Sequence, residues 1–440
     1  MAQKSPKKRS VQPSAEAVSF TWPGKQAAHE QATAPTDQMR KSVKTIFANP
    51  DPNNGIRVTN IFIEGDNLDA LKLMNHPLSH QNKVKMIYID PPYNTGKEFV
   101  YSDYFADSAA WLNMIYPRLI LAHQLLREDG VMFVSIDDRE VHRLRMVLDE
   151  IFGVENFVST IIWEKKYAPQ NDARWLSENH DYVLLYAKNK QVWRPNLLPR
   201  TDAANARFKN PDNDPRGPWK AADFSVRTYT SRCDYPITVP SGRIVTPPQG
   251  RCWTVTQERY EELVADNRVW FGKTGNNVPA MKKFLSEVKQ GMTSLTIWKR
   301  DEVGDTQSAR KQMRELFGNS RVFDTPKPVG LIRRMLQLAT TADGDEYENI
   351  VLDFFAGSAT TAHAVIEQNA ADGGKRRFVT VQLPVPLDVE GFSTLTEVGL
   401  ARIKKVLVAT GSIERCQYER LVKEPDESAK AFTHARVLGS

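Results

Sequence analysis

Residues 86–96 read MIYIDPPYNTG: a largely apolar run, Met86 to Ile89, then an acid, two prolines and an aromatic. A short apolar run closed by proline reads as a buried strand that stops abruptly, because proline brings no N–H to a ladder and restricts the residue before it. Asp90 is therefore expected at the carboxyl end of a strand. In open parallel α/β sheets ligands bind at that edge, so an acid, two free carbonyls and a ring are grouped at an expected active site.

Such a cluster serves a specific chemistry. The exocyclic amine of adenine or cytosine is a poor nucleophile because its lone pair is delocalised into the ring, and it becomes attackable once its two hydrogens are held by acceptors. Asp90 supplies one acceptor and the Pro91 carbonyl the other, while Tyr93 can stack on a base flipped out of a duplex. A plain strand-terminating turn would account for Asp-Pro alone; the whole tetrad behind a buried strand is rarer. Asp90-Pro91-Pro92-Tyr93 resembles the catalytic tetrad of amino-group DNA methyltransferases.

The bulk properties bound the rest. A chain of 440 residues, 41% hydrophobic and 25% charged, is that of an ordinary soluble protein with room for two or three domains. No apolar run approaches the ~20 residues of a membrane span, and no apolar core follows the amino-terminal charges as in a signal peptide. Cys233, Cys252 and Cys416 are widely spaced and form neither a zinc pattern nor a disulfide framework, which fits a reducing cytoplasm. Net charge is +6, but residues 191–320 carry 21 Lys or Arg against 14 Asp or Glu, a net of +7 that leaves −1 elsewhere. A basic segment inside a neutral enzyme suggests a polyanionic partner, although solvated surface lysines give the same pattern.

Along the chain, residues 1–45 lack sustained periodicity and read as a flexible arm, with Lys7-Lys8-Arg9 a solubilising or phosphate-touching cluster. Phe20 and Trp22 are the exception, an aromatic pair expected to dock on the body. Ile61 to Ile63 make a strand, Gly65-Asp66 a turn, and Leu68, Leu71 and Leu73 a helix. Asp66 reads equally as a helix cap and as an acceptor for a nucleotide-like cofactor. A helix capped by Asp107 or Ser108 runs to Gly130, and Val131 to Ile136 is the next buried strand. The helix after Asp137-Asp138 completes the βαβ rhythm of a parallel sheet. Phe157–Trp163 and Tyr182–Ala187 are two more strands, separated by a polar loop in which Lys165, Lys166 and Tyr167 are candidate DNA contacts.

Residues 190–320 lose this rhythm and hold seven prolines between Pro211 and Pro248 and several tryptophans, the composition of an irregular α+β nucleic-acid module or of an oligomerisation lobe. Arg227, Arg232 and Lys273 are its candidate DNA contacts. Regularity returns with a helix after Phe323-Asp324-Thr325-Pro326-Lys327-Pro328, then the strand Ile350 to Phe355, a small-residue turn Ala356-Gly357-Ser358-Ala359, and the helix Thr360 to Gln368. Small residues there let backbone N–H groups approach a ligand's carboxylate. Asp353-x-Phe355-x-Gly357-Ser358 resembles an S-adenosylmethionine loop, and Gln382, ending the strand Phe378 to Leu383, stands where a cofactor ribose would be gripped. His363 reads as packing.

The tetrad precedes the cofactor loop by 263 residues, the reverse of the usual order, so the strands run third, fourth, fifth, sixth and seventh before first and second. This is the permuted order of β-class amino methyltransferases. Asp214-Pro215-Arg216-Gly217-Pro218-Trp219, Trp270-Phe271-Gly272-Lys273 and the Lys327 segment extend the similarity to Mod subunits of type III restriction-modification systems, over roughly residues 18–410. The resemblance implies an α/β, circularly permuted Rossmann-like S-adenosylmethionine-dependent methyltransferase fold with an inserted α+β target recognition domain. Its parts would be an arm (1–45), a catalytic half (46–190), the insert (191–320), a cofactor half (321–410) and a tail (411–440). It further implies an adenine-specific N6 methyltransferase acting on double-stranded DNA, a homodimer, and a restriction (Res) subunit as a partner of such systems. Asp66, Lys327, Asp353, Phe355, Gly357, Ser358 and Gln382 would hold S-adenosylmethionine.

Two departures stand out. Ala359 replaces a frequent second glycine, and the tail, ending in Phe432 to Arg436, offers no obvious closing strand and is expected to be shortened. An N4-cytosine methyltransferase uses the same geometry, although Asp opening the tetrad favours adenine in family terms. A 5-methylcytosine enzyme needs a cysteine nucleophile, and none lies near the tetrad. A catalytically silent DNA-binding subunit and an RNA or protein methyltransferase are the readings from other classes.

Overall fold

The computed structural model describes residues 19–47, 59–76, 82–98, 102–318, 322–344 and 349–423. Lys7-Lys8-Arg9 and Phe432 to Arg436 lie outside them. The chain divides into two compact units, one of residues 1–196 with 295–440 and one of residues 197–294.

In chain order the first unit contains α1 (Lys25–Thr33), β1 (Gln38–Phe47), β2 (Thr59–Glu64), α2 (Asn67–Met74), β3 (Val84–Ile89), α3 (Ser108–Leu125), β4 (Leu126–Ile136) and α4 (Val141–Phe152). It continues with β5 (Phe157–Glu164), β6 (His180–Ala187), β7 (Ile297–Trp298), α5 (Thr306–Leu316), α6 (Val329–Ala339), β8 (Ile350–Asp353), α7 (Thr360–Asp372), β9 (Arg377–Gln382), α8 (Leu395–Thr410) and β10 (Arg415–Lys423). One ten-stranded sheet takes the order β1-β10-β2-β9-β8-β3-β4-β6-β5-β7. From β10 through β4 neighbouring strands are parallel, and β6 runs antiparallel to both β4 and β5. In the order expected of the unpermuted fold, β8 and β9 are first and second, β2 third, β3 fourth and β4 fifth, as the motif order requires.

The central strands form because both faces are covered. Val84, Met86, Ile87 and Ile89 of β3, Val351 and Leu352 of β8, and Val379 and Val381 of β9 are all fully buried. The near-continuous Val/Ile/Leu runs are what two-sided burial selects. Asp107 caps α3 by accepting from the Ala110 N–H at 2.8 Å, one orphan donor of the first turn satisfied. That helix ends at Leu125, and the chain is extended from Leu126, earlier than the expected end at Gly130. The cause is a register shift: Leu126 already pairs with Val84 before Val131 pairs with Met86.

Two expectations about the ends need correction. Residues 25–45, read as part of a flexible arm, form α1 and most of the edge strand β1. Trp22 is buried, donates from its indole N–H to Asn113 Oδ1 at 2.8 Å, and meets Tyr116 edge-on at 5.1 Å. The tail does supply a closing strand: β10 lies between β1 and β2, pairing Arg40 with Leu421 on one side and Phe62 with Tyr418 on the other.

The second unit has its own core of Phe224, Tyr235, Trp253, Leu263 and Phe271, a three-stranded sheet of Trp219–Asp223, Ala280–Phe284 and Val269–Trp270, and a helix Gln257–Ala265. The Asp-Pro-Arg-Gly-Pro-Trp motif is part of its scaffold. Asp214 is buried, binds Arg216 through both oxygens at 2.9 Å and also accepts from the fully buried Lys282 at 3.2 Å. These bonds hold the Asp214 carboxyl well below its usual range. Residues 295–320, included in the expected insert, belong to the first unit through β7 and α5.

Candidate active site

The parallel strands β2, β9, β8, β3 and β4 end on one edge, and the sheet changes winding direction between β8 and β3, where crevices open. Asp353 ends β8 and Asp90 follows β3 there. Below them lies a cavity of about 550 Å³, within the range of small-molecule sites. Asp66, Lys327, Asp353, Phe355, Gly357, Ser358 and Gln382 all line it, as do Asp90 and Pro92. Pro91 and Tyr93 stand beside it, Pro91 buried and Tyr93 half-buried.

The tetrad is held from several sides. The Trp111 indole donates to the Pro92 carbonyl at 2.7 Å. Asn94 continues it in the left-handed region (φ 60°), its N–H bound to Asp103 Oδ1 at 2.9 Å and its side chain to Glu140 at 2.9 Å. Asp90 Oδ2 accepts from Lys327 Nζ at 2.5 Å, and the same ammonium lies 5.1 Å from the centre of the Tyr93 ring. Asp90 Oδ1 and the Tyr93 hydroxyl are buried with no hydrogen-bond partner among the described residues. Burial, and then the charge of Asp90, push the Tyr93 phenol well above its ordinary value, so it stays neutral.

The small-residue loop is braced from beneath. Asp353 Oδ1 accepts from the Phe355 N–H at 3.0 Å and Oδ2 from the Thr361 hydroxyl at 2.5 Å. Gly357, at φ 52°, donates its N–H to Gln382 Oε1 at 2.7 Å, so Gln382 ties the loop to the end of β9. Ala359 adopts φ 62°. A left-handed alanine costs about 1 kcal/mol, but its methyl is fully buried and burying a methyl returns about 0.8 kcal/mol. Gly399 on α8 lies beside that methyl, and a Cβ there would press on the Phe62 ring at 3.1 Å before touching Ala359. The missing second glycine therefore costs the turn little.

Behind the loop, Arg402 of α8 is buried and donates to the Ser358 carbonyl (3.2 Å), Ser358 Oγ (3.0 Å), Thr360 Oγ1 (2.9 Å) and His363 Nδ1 (3.1 Å). His363 Nε2 meets Glu367 Oε1 at 2.8 Å. Arginine only donates, so Nδ1 is unprotonated and the imidazole carries its proton on Nε2. His363 is thus a link in a polar network as well as packing.

Burial raises the Asp353 carboxyl to about 7. Its unfolded value is about 3.9, so between roughly pH 4 and 7 the folded state holds more proton than the unfolded chain and stability falls as pH rises. Glu414, raised to about 7 by burial, acts in the same direction. Asp353→Asn keeps an acceptor for Phe355 and can donate to Thr361. Its thermal midpoint relative to wild type should therefore rise between pH 5 and pH 8, and a pH-independent difference in a melting series would refute the assignment.

The candidate DNA contacts separate into two groups. Arg227, Arg232 and Lys273 are exposed on the second unit. In the first unit Lys165 is committed to Asp181 at 2.6 Å, both mostly buried, so it anchors the base of its loop. Lys166 is half-buried, and Tyr167 is exposed with the Arg300 guanidinium 4.1 Å from its ring.

Several lining residues gave no clear sign in the sequence. Arg118 of α3 reaches Asp66 at 3.3 Å and Met114 O at 2.6 Å, and Asn67 donates to Phe354 O at 2.7 Å. Asp66 is both the cap of α2, accepting from the Leu68 N–H at 2.7 Å, and a cavity residue.

A sheet of this order, with an Asp-Pro-Pro-Tyr turn and a small-residue loop on adjacent strand ends, defines an amino-methyltransferase type of architecture. The family model described as DNA methylase matches residues 84–374, and the chain belongs to that family. It is 36% identical over 385 residues to the type III restriction-modification enzyme StyLTI Mod subunit of Salmonella typhimurium strain LT2, covering 79% of this chain and 57% of that protein. To the EcoPI Mod subunit of Escherichia phage P1 it is 31% identical over 468 residues, with 90% and 69% covered. To the type II methyltransferase M.KpnI of Klebsiella pneumoniae it is 29% identical over 379 residues, with 78% and 86% covered. The matches thus span 57% and 69% of the two Mod subunits' lengths.

Proposed function

We propose that this protein methylates the N6 amine of adenine in double-stranded DNA at a specific site, taking the methyl group from S-adenosylmethionine and acting on a base flipped from the duplex. The observation that carries the reading is Asp90 Oδ1, a buried acceptor without a partner among the described residues, in the lining of a cavity of about 550 Å³. A buried, unpaired carboxylate oxygen costs free energy unless a ligand donor completes it, and an amine hydrogen is such a donor.

The donor set fits the cofactor. The cavity joins acids at strand ends to small residues before a helix, and pairs apolar walls such as Phe355 with polar groups such as Asp66. When bound, S-adenosylmethionine supplies an electrophilic methyl group. The chain's part is to hold the amine: Asp90 Oδ1 takes one hydrogen, the Pro91 carbonyl takes the other, and Tyr93 offers its ring to the base. As positive charge develops on nitrogen, the Asp90 carboxylate stabilises it.

The same proposal makes the chain the modification component of a restriction-modification system or a solitary relative, working as a homodimer in the cytoplasm, with a Res-type subunit as partner where restriction is present. Incubation with S-adenosylmethionine and genomic DNA, followed by single-molecule sequencing, tests it: modified adenines at one recurring sequence are expected. Product on cytosine N4 would move the assignment to the other base.

The exposed arginines and lysine of the second unit are proposed to contact phosphate. Replacing Arg227, Arg232 and Lys273 together by alanine should make the slope of log K against log[salt] shallower by about 2 to 3, since each phosphate contact contributes about 0.9. Cofactor affinity should not change. An unaltered slope would remove these residues from the DNA surface.

A further inference from the structure

The family resemblance assigns Lys327 to the cofactor, yet its ammonium sits on Asp90, the proposed acceptor of the amine. It lies 2.5 Å from Asp90 Oδ2, with the lysine side chain 13% and the aspartate side chain 21% exposed. Pro326 and Pro328 flank it, fixing the backbone φ on either side and pushing Lys327 itself into an extended conformation. Pro328 caps α6, whose start is seated closely: a Cβ at Gly330 would meet the Val303 carbonyl at 2.8 Å. Lysine at this position is therefore delivered by a stiff segment.

We propose that Lys327 is a positioning residue for the transfer step, an assignment that rests on the methyltransferase function proposed above. Its ammonium occupies Oδ2 and so leaves Oδ1 as the oxygen that accepts from the incoming amine. Three observations converge on this division. Oδ2 is hydrogen-bonded and Oδ1 is not, although both belong to one partly buried carboxylate. The carboxylate rotates about one bond, so pinning one oxygen fixes the direction of the other. The same ammonium lies 5.1 Å from the Tyr93 ring, so one cation registers both the group that holds the amine and the ring that receives the base. Asp181, whose carboxyl also feels the Lys327 charge, has its own ion pair with Lys165 at 2.6 Å.

This differs in kind from a cofactor-gripping lysine. A cofactor contact formed equally in the ground and transition states appears in cofactor affinity, whereas a contact that orients the acceptor appears in the rate of transfer. The test uses full-length protein and a duplex carrying the site mapped by sequencing. Single-turnover transfer and calorimetric S-adenosylmethionine binding are measured for wild type, Lys327→Met and Lys327→Arg. Lys327→Met should slow transfer about 100-fold, the order seen when one preorganised donor is removed, with cofactor affinity within about threefold by the argument just given. Lys327→Arg, which can still donate to Oδ2, should recover about tenfold of that loss.

In an Asp90→Asn background the Lys327→Met change should cost much less than in wild type, because the two residues act as a unit. A lysine that only stabilised the fold would add its full cost in either background. Cofactor affinity reduced tenfold or more with an unchanged transfer rate in Lys327→Met overturns the proposal and returns Lys327 to the cofactor. Equal costs in both backgrounds also overturn it. Wild-type protein that binds S-adenosylmethionine but methylates no DNA overturns the proposed function, and the positioning role with it.

Discussion

Asp90→Ala should abolish methyl transfer while leaving S-adenosylmethionine affinity within about threefold of wild type. In the proposed mechanism the carboxylate contributes twice: it accepts an amine hydrogen, and it supplies negative charge as the nitrogen becomes positive. Losing a preorganised group aimed at developing charge costs about 3 kcal/mol or more, a hundredfold or greater in rate. Alanine also strands the Lys327 ammonium, whose hydrogen-bond acceptor is Asp90 Oδ2. Asp90→Asn is therefore the informative companion, since its amide oxygen still accepts but carries no charge, and a trace of activity is expected. Tyr93→Phe should retain partial activity, because the ring rather than the hydroxyl is what the base would stack on. Tyr93→Ala forfeits base stacking of about 1 to 3 kcal/mol. Single-turnover methylation of the mapped duplex separates these cases, and a wild-type rate in Asp90→Ala would end the mechanism.

The residues that made this site legible in sequence are those whose signals are local. Met86 to Pro92 and Ile350 to Gly357 each place an apolar run, an acid and a chain-breaking or small residue within a few positions, so strand, edge and ligand side follow together. The elements that were missed depend on partners far away. β1 reads as a charged, polar stretch because it is an edge strand, and its partner β10 is reached only after folding: Arg40 pairs with Glu419. β10 sets buried Cys416 and Tyr418 between half-buried Arg415 and Gln417, but Glu419 is buried as well, so its period-two pattern is too short to distinguish from a tail without that partner. Arg118 looks like one more charge on a helix until α3 packs beside α2. Lys165 looks like a loop cation until Asp181, sixteen residues later, closes on it. Lys327 was legible as functional but not in its role, because its distance to Asp90 is a product of the permuted order and cannot be read from either motif.

Arg402→Met is expected to damage both the fold and the cofactor site without touching the chemistry. Arg402 is 1% exposed, and burial pushes its guanidinium down to about 9, a sign that its charge is retained at a cost. What offsets the cost is the set of four acceptors it serves, three of them in the turn Ser358 to Thr360 and the fourth His363 Nδ1. Methionine fills much of the volume but donates nothing, leaving a carbonyl, two hydroxyls and an imidazole nitrogen short of a partner in a dry environment. Each abandoned buried polar group costs about 1 to 3 kcal/mol. The two hydroxyls can rotate to other partners and His363 can change tautomer, so the net loss should lie near 3 kcal/mol, read as a lower urea midpoint. Because Ser358 is released, S-adenosylmethionine affinity should fall about tenfold, the equivalent of ~1.4 kcal/mol. Arg402→Lys separates the two effects: its ammonium can reach the Ser358 and Thr360 oxygens but cannot span to His363 as well, so cofactor affinity should recover further than stability. Equal recovery of both would mean that Arg402 supports the fold generally rather than the loop. A variant as stable as wild type would mean that water replaces the guanidinium and that the network is not closed.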